Sequence, residues 1–376
     1  MKKNILKVAF LATLLTLQSC DNLDDFVGGG NSDKEEKQLE FIDEFVIPDG
    51  FQFEGTIVGG LSSIDYANGS WYMISDDPAT PRFYSAAINY DMEGFHTIDI
   101  TSVSELKNMD GGSFKAGTVD PEALRVFGAN VVWASEGNIN NGIDPFVRRA
   151  TLSGEFINES ELAERYKVGA DDTQGPRQNG VFEGVSLSVD GNGFWVNMEL
   201  PLKQDGPAPT TQDSDSPIRI AFIDMATGRF GREFAYELDP VVRPAANGSS
   251  FELNGVVEIL EYDTDKFLVL ERSFSTGYDD GGNNVKIYDV DASDATDISA
   301  MESLLNANYK VATKKLLFDF ENIREELTDG VVDNIEGIAF GPEFSNGDKS
   351  IVLVADNNFS AFGPQLNQFV LFALKE

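Results

Sequence analysis

Glu183-Gly184-Val185-Ser186-Leu187, a turn at Asp190-Gly191-Asn192-Gly193, and Phe194-Trp195-Val196-Asn197-Met198-Glu199 form a two-strand unit opened and closed by a glutamate. Apolar and β-branched runs flanking a Gly/Asn/Asp cluster read as a hairpin. The unit recurs. Gly60 to Tyr66 leads through Asn68-Gly69 to a run from Trp71 to Asp76. Glu122 to Val126 leads through Gly128 to a run ending at Glu136. Asn254 to Ile259 leads through Asp263 to a run ending at Glu271, and Glu336 to Phe340 through Asn346-Gly347 to a run ending at Asp356. The copies begin at residues 60, 123, 184, 255 and 337. Repetition at this spacing is the mark of an architecture built from stacked supersecondary units.

Two further apolar runs follow most copies: those beginning at Phe83 and Phe95, at Ile218 and Glu233, and at Val285 and Lys315. Each copy is then a four-stranded antiparallel module, the blade of an all-β propeller. The count gives five blades; six stays open, because the longer gaps have room for a degenerate one. The last copy runs out after Phe369-Val370-Leu371-Phe372, and an unassigned run, Phe41 to Val46, precedes the first. The N-terminal strand is expected to complete that last blade and close the ring. Helical stretches near Met301 to Ala307 and Asn322 to Leu327 read as loop insertions.

In a blade the first strand lines the central channel and the second returns antiparallel to it. The start of one and the end of the other share one mouth. The repeat thus brings Asp76, Glu122, Glu136, Glu183, Glu199, Glu271, Glu336 and Asp356 together, with Asn254 in the fourth copy. So many like charges need neutralising by protons, by bound hard cations or by arginines. Arg82, Arg148, Arg149, Arg177, Arg219 and Arg272 lie beside these strand ends, and a ring of Arg–carboxylate pairs tying blades together is the structural alternative to a metal site. Oxygen ligands without thiol or imidazole suit Ca²⁺ or Mg²⁺ rather than zinc or copper. Phe83, Tyr84, Phe146 and Phe359 are read as exposed aromatics near the mouth.

Other chemistries drop out. The one histidine, His96, falls on an expected outer strand, so Ser-His-Asp catalysis has no base at the mouth, and no Gly-x-Ser-x-Gly elbow occurs. No Gly-rich phosphate loop opens a helix. Asp289 to Asp294 lacks the turn glycine and closing glutamate of a calcium loop and reads as an acidic turn. With 63 Asp and Glu against 28 Lys and Arg, the net charge is −35, which excludes a nucleic-acid binder.

Gly60-Leu61-Ser62-Ser63-Ile64-Asp65-Tyr66 with Trp71 to Asp77, Phe182-Glu183-Gly184-Val185-Ser186, and Asn334-Ile335-Glu336-Gly337-Ile338-Ala339-Phe340 with Val354-Ala355-Asp356-Asn357-Asn358-Phe359 resemble the phytase-like domain family, labelled "esterase-like activity of phytase". The resemblance covers about residues 55 to 375. It implies a relation to calcium-dependent propeller phytases, and hence a Ca²⁺-dependent hydrolase of phosphate esters. Glu199, Glu183 and Glu336 would then be catalytic. Arg177, Arg272 and Arg82 would bind the anionic substrate. Ca²⁺ would sit on the carboxylates of the mouth. A lactone or sugar-acid hydrolase and a non-enzymatic surface module for glycans or proteins remain as alternatives.

The N-terminus points outside the cytoplasm. Lys2, Lys3 and Lys7 precede an apolar run from Val8 to Leu17, and Leu17-Gln18-Ser19-Cys20 follows. This is an export signal too short to span a bilayer comfortably, and it resembles a lipobox with Cys20 as the lipidated residue. The expected organisation is a signal peptide over residues 1–19, a polar acidic tether over 20–38, and the propeller over 39–376. The chain is expected to be a monomer held in the cell envelope by its lipid, at the outer membrane, facing either the periplasm or the exterior.

Overall fold

The computed structural model describes residues 37–212 and 215–375; the export signal, Cys20 and nearly all of the expected tether lie outside them. Strand β1 (Gln38–Ile47) opens the chain, followed by a two-stranded flap, β2 (Gln52–Phe53) and β3 (Thr56–Ile57). Blade 1 is β4 (Leu61–Ala67), β5 (Ser70–Ser75), β6 (Arg82–Asp91) and β7 (Gly94–Glu105). Blade 2 is β8 (Pro121–Phe127), β9 (Asn130–Ser135), β10 (Phe146–Thr151) and β11 (Phe156–Glu159). Blade 3 is β12 (Phe182–Leu187), β13 (Gly193–Met198), β14 (Pro217–Asp224) and β15 (Phe230–Glu237). Blade 4 is β16 (Glu252–Asp263), β17 (Lys266–Ser275), β18 (Asn283–Asp291) and β19 (Thr313–Asp319). Blade 5 is β20 (Ile335–Phe340), β21 (Lys349–Ala355) and β22 (Asn367–Lys375), completed at its outer edge by β1.

The protein is therefore a five-bladed β-propeller, and the ring closes as the sequence implies. β1 runs antiparallel to β22 from Gln38 opposite Lys375 to Ile47 opposite Asn367. The inner strands pack in a circle, β4 on β8, β8 on β12, β12 on β16, β16 on β20 and β20 on β4. Among the described residues the only helices are single 3₁₀ turns, two of them at Phe320–Asn322 and Arg324–Glu326.

The apolar faces of the blades meet at the seams. Leu61, Ile64, Val352 and Val354 pack between blades 1 and 5, Leu124, Trp133, Ile74 and Phe83 between blades 1 and 2, and Leu268, Leu270, Ile338 and Leu353 between blades 4 and 5. A larger cluster around Val185, Val196, Ile259 and Val269 joins blades 2, 3 and 4. Burying each such side chain contributes about 1.5–3 kcal/mol. Alternation along each strand (period 2) supplies a second apolar face to the next seam.

One polar element interrupts this core on the axis. Arg125, from β8, pairs with Glu258, from β16, at 2.9 Å, with the two side chains 2% and 0% exposed. The Arg125 guanidinium also donates to Ser63 Oγ (3.1 Å) and to the carbonyls of Ile64 and Ile338, while Glu258 accepts from Ser63 Oγ at 2.7 Å and from the Val185 N–H at 2.9 Å. The pair touches the inner strands of all five blades. It plugs the channel, so the mouth above it is a cup with a floor.

Candidate functional site

Strand pairing defines which residues rim the cup. In every blade a β-bulge interrupts the pairing of the first two strands near the mouth. The extra residue is Ser62, Glu122, Glu183, Val257 and Glu336 in blades 1 to 5. A bulge re-aims its extra side chain out of the alternating pattern. The residue just beyond the paired end of the second strand is Asp76, Glu136, Glu199 and Asp356 in blades 1, 2, 3 and 5; in the first two its N–H bonds back to Gly60 and Asp120, in the others to Val181 and Asn334. By the same register the fourth blade puts Arg272 there, opposite Gly255.

The residue after each bulge explains the Glu-Gly motif. It is Ser63, Ala123, Gly184, Glu258 and Gly337. Four are small because the channel axis beneath them is filled by Arg125 and the fifth, Glu258. A Cβ on Gly184 would lie 2.6 Å from Glu258 Oε1. Glycine is needed again where carboxylates lean across the rim. A Cβ on Gly60, whose φ is +60°, would lie 1.9 Å from Asp76 Oδ1, and one on Gly255 2.4 Å from Glu199 Cγ.

The carboxylates converge. One oxygen each of Asp120, Glu122 and Glu136 lies within 4.8 Å of the others, and the same holds for Glu136, Glu183 and Glu199. Glu136 Oε1 accepts from the N–H groups of Gly180 (2.7 Å) and Val181 (2.5 Å), which fixes its orientation. Arg272 reaches Glu199 at 3.4 Å and Glu336 at 3.3 Å, and donates to Asn334 Oδ1. Asn334 in turn donates to Glu336 at 3.0 Å and Asp356 at 3.2 Å. Glu136, Glu183, Glu199, Glu336 and Asp356 are buried, whereas Asp76, Asp120 and Glu122 are only partly covered.

Burial and then mutual repulsion hold Glu122, Glu183 and Asp76 well above the usual carboxylate range. Burial does the same to Glu336 against the opposing pull of Arg272. Two oxygens in this neighbourhood are buried without any hydrogen-bond partner, Ser62 Oγ and Asp76 Oδ1.

Just past Asp356 the backbone is strained. Asn358, Phe359 and Ser360 all take left-handed φ, from 45° to 57°, a conformation that costs non-glycine residues energy and persists only where surroundings impose it. Asp356 accepts from the Asn358 N–H at 2.6 Å, and Asn357 Oδ1 accepts from Gly60 and Phe359. This sets the Phe359 ring against Gly59 and Gly60 at the rim.

Of the residues expected from the sequence, Asp76, Glu122, Glu136, Glu183, Glu199, Glu336 and Asp356 do rim one cup, and Arg272 stands among them. Glu271 does not. It faces away from the cup and is bonded to Tyr236 Oη, to Asn254 Nδ2 at 2.8 Å and to Lys314 Nζ at 2.8 Å. The hairpin of β16 and β17 extends further toward the mouth than in other blades, so the carboxylate ending the apolar run is not at the rim. Asn254 leaves the rim for the same reason.

Arg82 is committed to Asp77 (2.6 Å) and to the carbonyls of Thr80 and Ile57, and Arg177 to the carbonyls of Pro201 and Gly206. Neither makes an ion pair with a rim carboxylate. Arg148 pairs with Glu159, Arg149 with Asn158 and the Met225 carbonyl, and Arg219 with Asp205 and Glu233, all away from the cup. Phe83, Tyr84 and Phe146 are buried seam residues, not exposed aromatics. Asp120 and Asn334 were missed as rim residues; each stands two positions before a bulge glutamate. His96 is on the outermost strand of blade 1, paired with Asp91 in solvent.

A plugged five-bladed propeller whose open mouth is rimmed by bulge and strand-end carboxylates defines the class of protein. Residues 56–359 match the family described as phytase-like, esterase-like activity of phytase, and the chain belongs to that family. No curated protein matches it by sequence. Among solved structures it is similar to the glutaminyl cyclase of Myxococcus xanthus, at 9% identity over 90% of this chain and 98% of that one, TM-score 0.40. It is similar to the Malassezia sympodialis allergen Mala s 1, at 11% identity over 84% and 93%, TM-score 0.39. A xylan β-1,4-xylosidase from Bacillus halodurans C-125 matches at 10% identity over 79% of this chain, TM-score 0.42; the chain spans 49% of that protein's length.

Proposed function

We propose that this protein is a Ca²⁺-dependent hydrolase of phosphate esters acting in the carboxylate cup. The observation that carries the reading is the imbalance of the rim: Asp76, Asp120, Glu122, Glu136, Glu183, Glu199, Glu336 and Asp356 face a single guanidinium, Arg272. The donor set fits a hard divalent cation. It is all oxygen, and it includes two buried oxygens, Ser62 Oγ and Asp76 Oδ1, without a partner. Asp120, Glu122 and Glu136, with Asp76 beside them, are the residues that would hold Ca²⁺; bound there, it would polarise a phosphoryl oxygen and acidify a water.

The remaining work falls to the chain itself. Burial and the neighbouring acids hold the Glu183 carboxyl well above the usual carboxylate range, so its protonated form can deliver a proton to a leaving group. Arg272 holds Glu199 and Glu336 in place and offsets charge that would repel an anionic substrate. The plug beneath excludes bulk water from below, so substrate enters and product leaves by one mouth.

The test is turnover of a phosphomonoester, a phosphodiester and a lactone, each with Ca²⁺ and with chelator. Phosphate-ester hydrolysis abolished by chelator and lowered at least ~100-fold by Glu183→Gln is expected. Chelator-resistant turnover would sink the metal-dependent mechanism. Lactone turnover alone would favour the second reading, a lactone or sugar-acid hydrolase. One observation supports that alternative: Arg82 and Arg177 are committed elsewhere, so the cup has no spare cationic clamp for a phosphate.

We also infer that the chain is a lipoprotein held in the cell envelope through Cys20, and a monomer. Metabolic labelling with a fatty acid should mark the wild type and not Cys20→Ala; equal labelling of both would refute the anchor.

A further inference from the structure

We infer that Arg272 is a built-in cation standing in for a second metal ion, so that the cup takes one divalent ion, on the arc formed by blades 1 and 2. This rests on the metal-binding part of the function proposed above and adds where the ion sits and how many there are.

The argument starts from the register. Four blades place a carboxylate just beyond the end of their second strand; blade 4 places a guanidinium there. From that position Arg272 reaches the strand-end carboxylate of blade 3 and the bulge carboxylate of blade 5, while Asn334 links it to the remaining rim acid of blade 5. This arc is buried and holds the rim's cation, whose two Nη atoms are engaged although its Nε is not. On the opposite arc Asp120, Glu122 and Glu136 bring one oxygen each within 4.8 Å of one another with no cation among them, and Asp76 and Glu122 are still reached by solvent.

A second and independent feature marks the same arc. Ser62 is 2% exposed, its Oγ has no hydrogen-bond partner, and it holds in blade 1 the bulge position that carries a rim glutamate in blades 2, 3 and 5. Asp76 Oδ1, also in blade 1, is buried and unpartnered as well. Buried polar atoms are seldom left unsatisfied. Two orphaned oxygens in blade 1, one of them on Asp76 beside the triad's Glu122, and away from the guanidinium in blade 4, are what a single oxygen-liganded ion would satisfy. Two ions would instead have to share a ring in which Arg272 already pairs with Glu199 and Glu336, and like charges at this spacing repel strongly in a poorly solvated site.

The experiment is equilibrium dialysis of the full-length protein against Ca²⁺, with bound metal counted by elemental analysis and melting temperature recorded in parallel. The wild type should hold one ion. Glu122→Gln should weaken binding at least tenfold, and Glu336→Gln should change it less than threefold. Arg272→Gln should admit a second ion or tighten binding at least tenfold, while Arg272→Lys, which keeps the charge, should behave as the wild type does. Two ions on the wild type, equal losses from Glu122→Gln and Glu336→Gln, or an Arg272→Gln protein with unchanged count and affinity would each overturn the inference and leave the proposed function standing. A wild type that binds no ion would overturn both. One bound ion with no ester turned over would overturn the proposed hydrolase alone.

Discussion

Arg125→Leu is expected to destabilise the propeller by about 3–5 kcal/mol, the cost of leaving the partner of a buried ion pair without compensation. Glu258 has 0% exposure, so water cannot replace the guanidinium. The variant also strips hydrogen bonds from Ser63 and the Ile64 carbonyl in blade 1 and from the Ile338 carbonyl in blade 5. Burial already raises the Glu258 carboxyl to about 7 against the pull of Arg125 and Ser63; without Arg125 it will protonate more readily. A group whose folded pKa is raised loses stability as pH climbs, so the deficit should be greater at pH 8.5 than at pH 5.5. Replacing both partners by leucine should recover much of the loss, because a well-packed apolar pair needs no charge balance. Urea denaturation measures this. An Arg125→Leu midpoint within about 1 kcal/mol of the wild type would show that the plug is incidental to the ring.

Metal-free protein should lose stability as pH rises from about 5 to above 8. Burial lifts Asp356 to about 6, burial and the nearby acids lift Asp120 to about 7, and burial lifts Glu199 to about 8 despite Arg272. The sign follows from linkage. These acids have higher pKa values folded than unfolded, so between the two the folded state binds more protons, and stability falls with increasing pH. Each proton retained by the folded state is worth about 1.4 kcal/mol per pH unit, so a loss of at least ~2 kcal/mol between pH 5.5 and 8.5 is expected. Saturating Ca²⁺ should flatten the profile, because an ion that binds the folded state offsets the repulsion the protons relieved. Glu183→Gln with Glu336→Gln should shrink the slope in chelator. Thermal melts across this range decide it; a metal-free profile that is flat or rising would mean that the rim acids are ionised at little cost.

The blade repeat and most of the rim are legible in the sequence for physical reasons. Blade seams demand apolar residues on alternating strand positions, and turns at the closed end demand Gly, Asn or Asp; both requirements recur in every blade and so survive as a visible repeat. The Glu-Gly pair was readable because it answers two local needs at once, a bulge side chain at the rim and no Cβ over the plug. Blade 4 broke the reading for the same reason. There the residue after the bulge is Glu258 itself, half of the plug, so Gly255 was aligned with Gly184 although it stands three residues nearer the mouth. Strand β17 carries on through Arg272, Ser273 and Phe274, and no local signal tells a carboxylate at a strand's end from one inside it. The plug joins residues 125 and 258 and leaves no periodic trace. Blade 2's outer strands escaped notice because Arg148 and Arg149 interrupt the apolar run, although the Arg148 guanidinium stacks over the Phe146 ring at 3.8 Å.

The blade built from both ends of the chain sets the order of assembly. Gln38 meets Lys375, so this sheet has the highest contact order the domain allows, and its closure entropy is lost only when the rest of the ring can hold the two ends near each other. Blades 1 to 4 are contiguous in sequence and can form as local hairpins; the fifth needs β22 to find β1, more than 300 residues away. Until then β22, apolar along nearly its whole length, is an uncovered edge. A neighbouring copy carries an identical β1, so the same pairing can be made between molecules as well as within one. Dilute refolding favours the closed ring, and crowding favours strand-exchanged pairs.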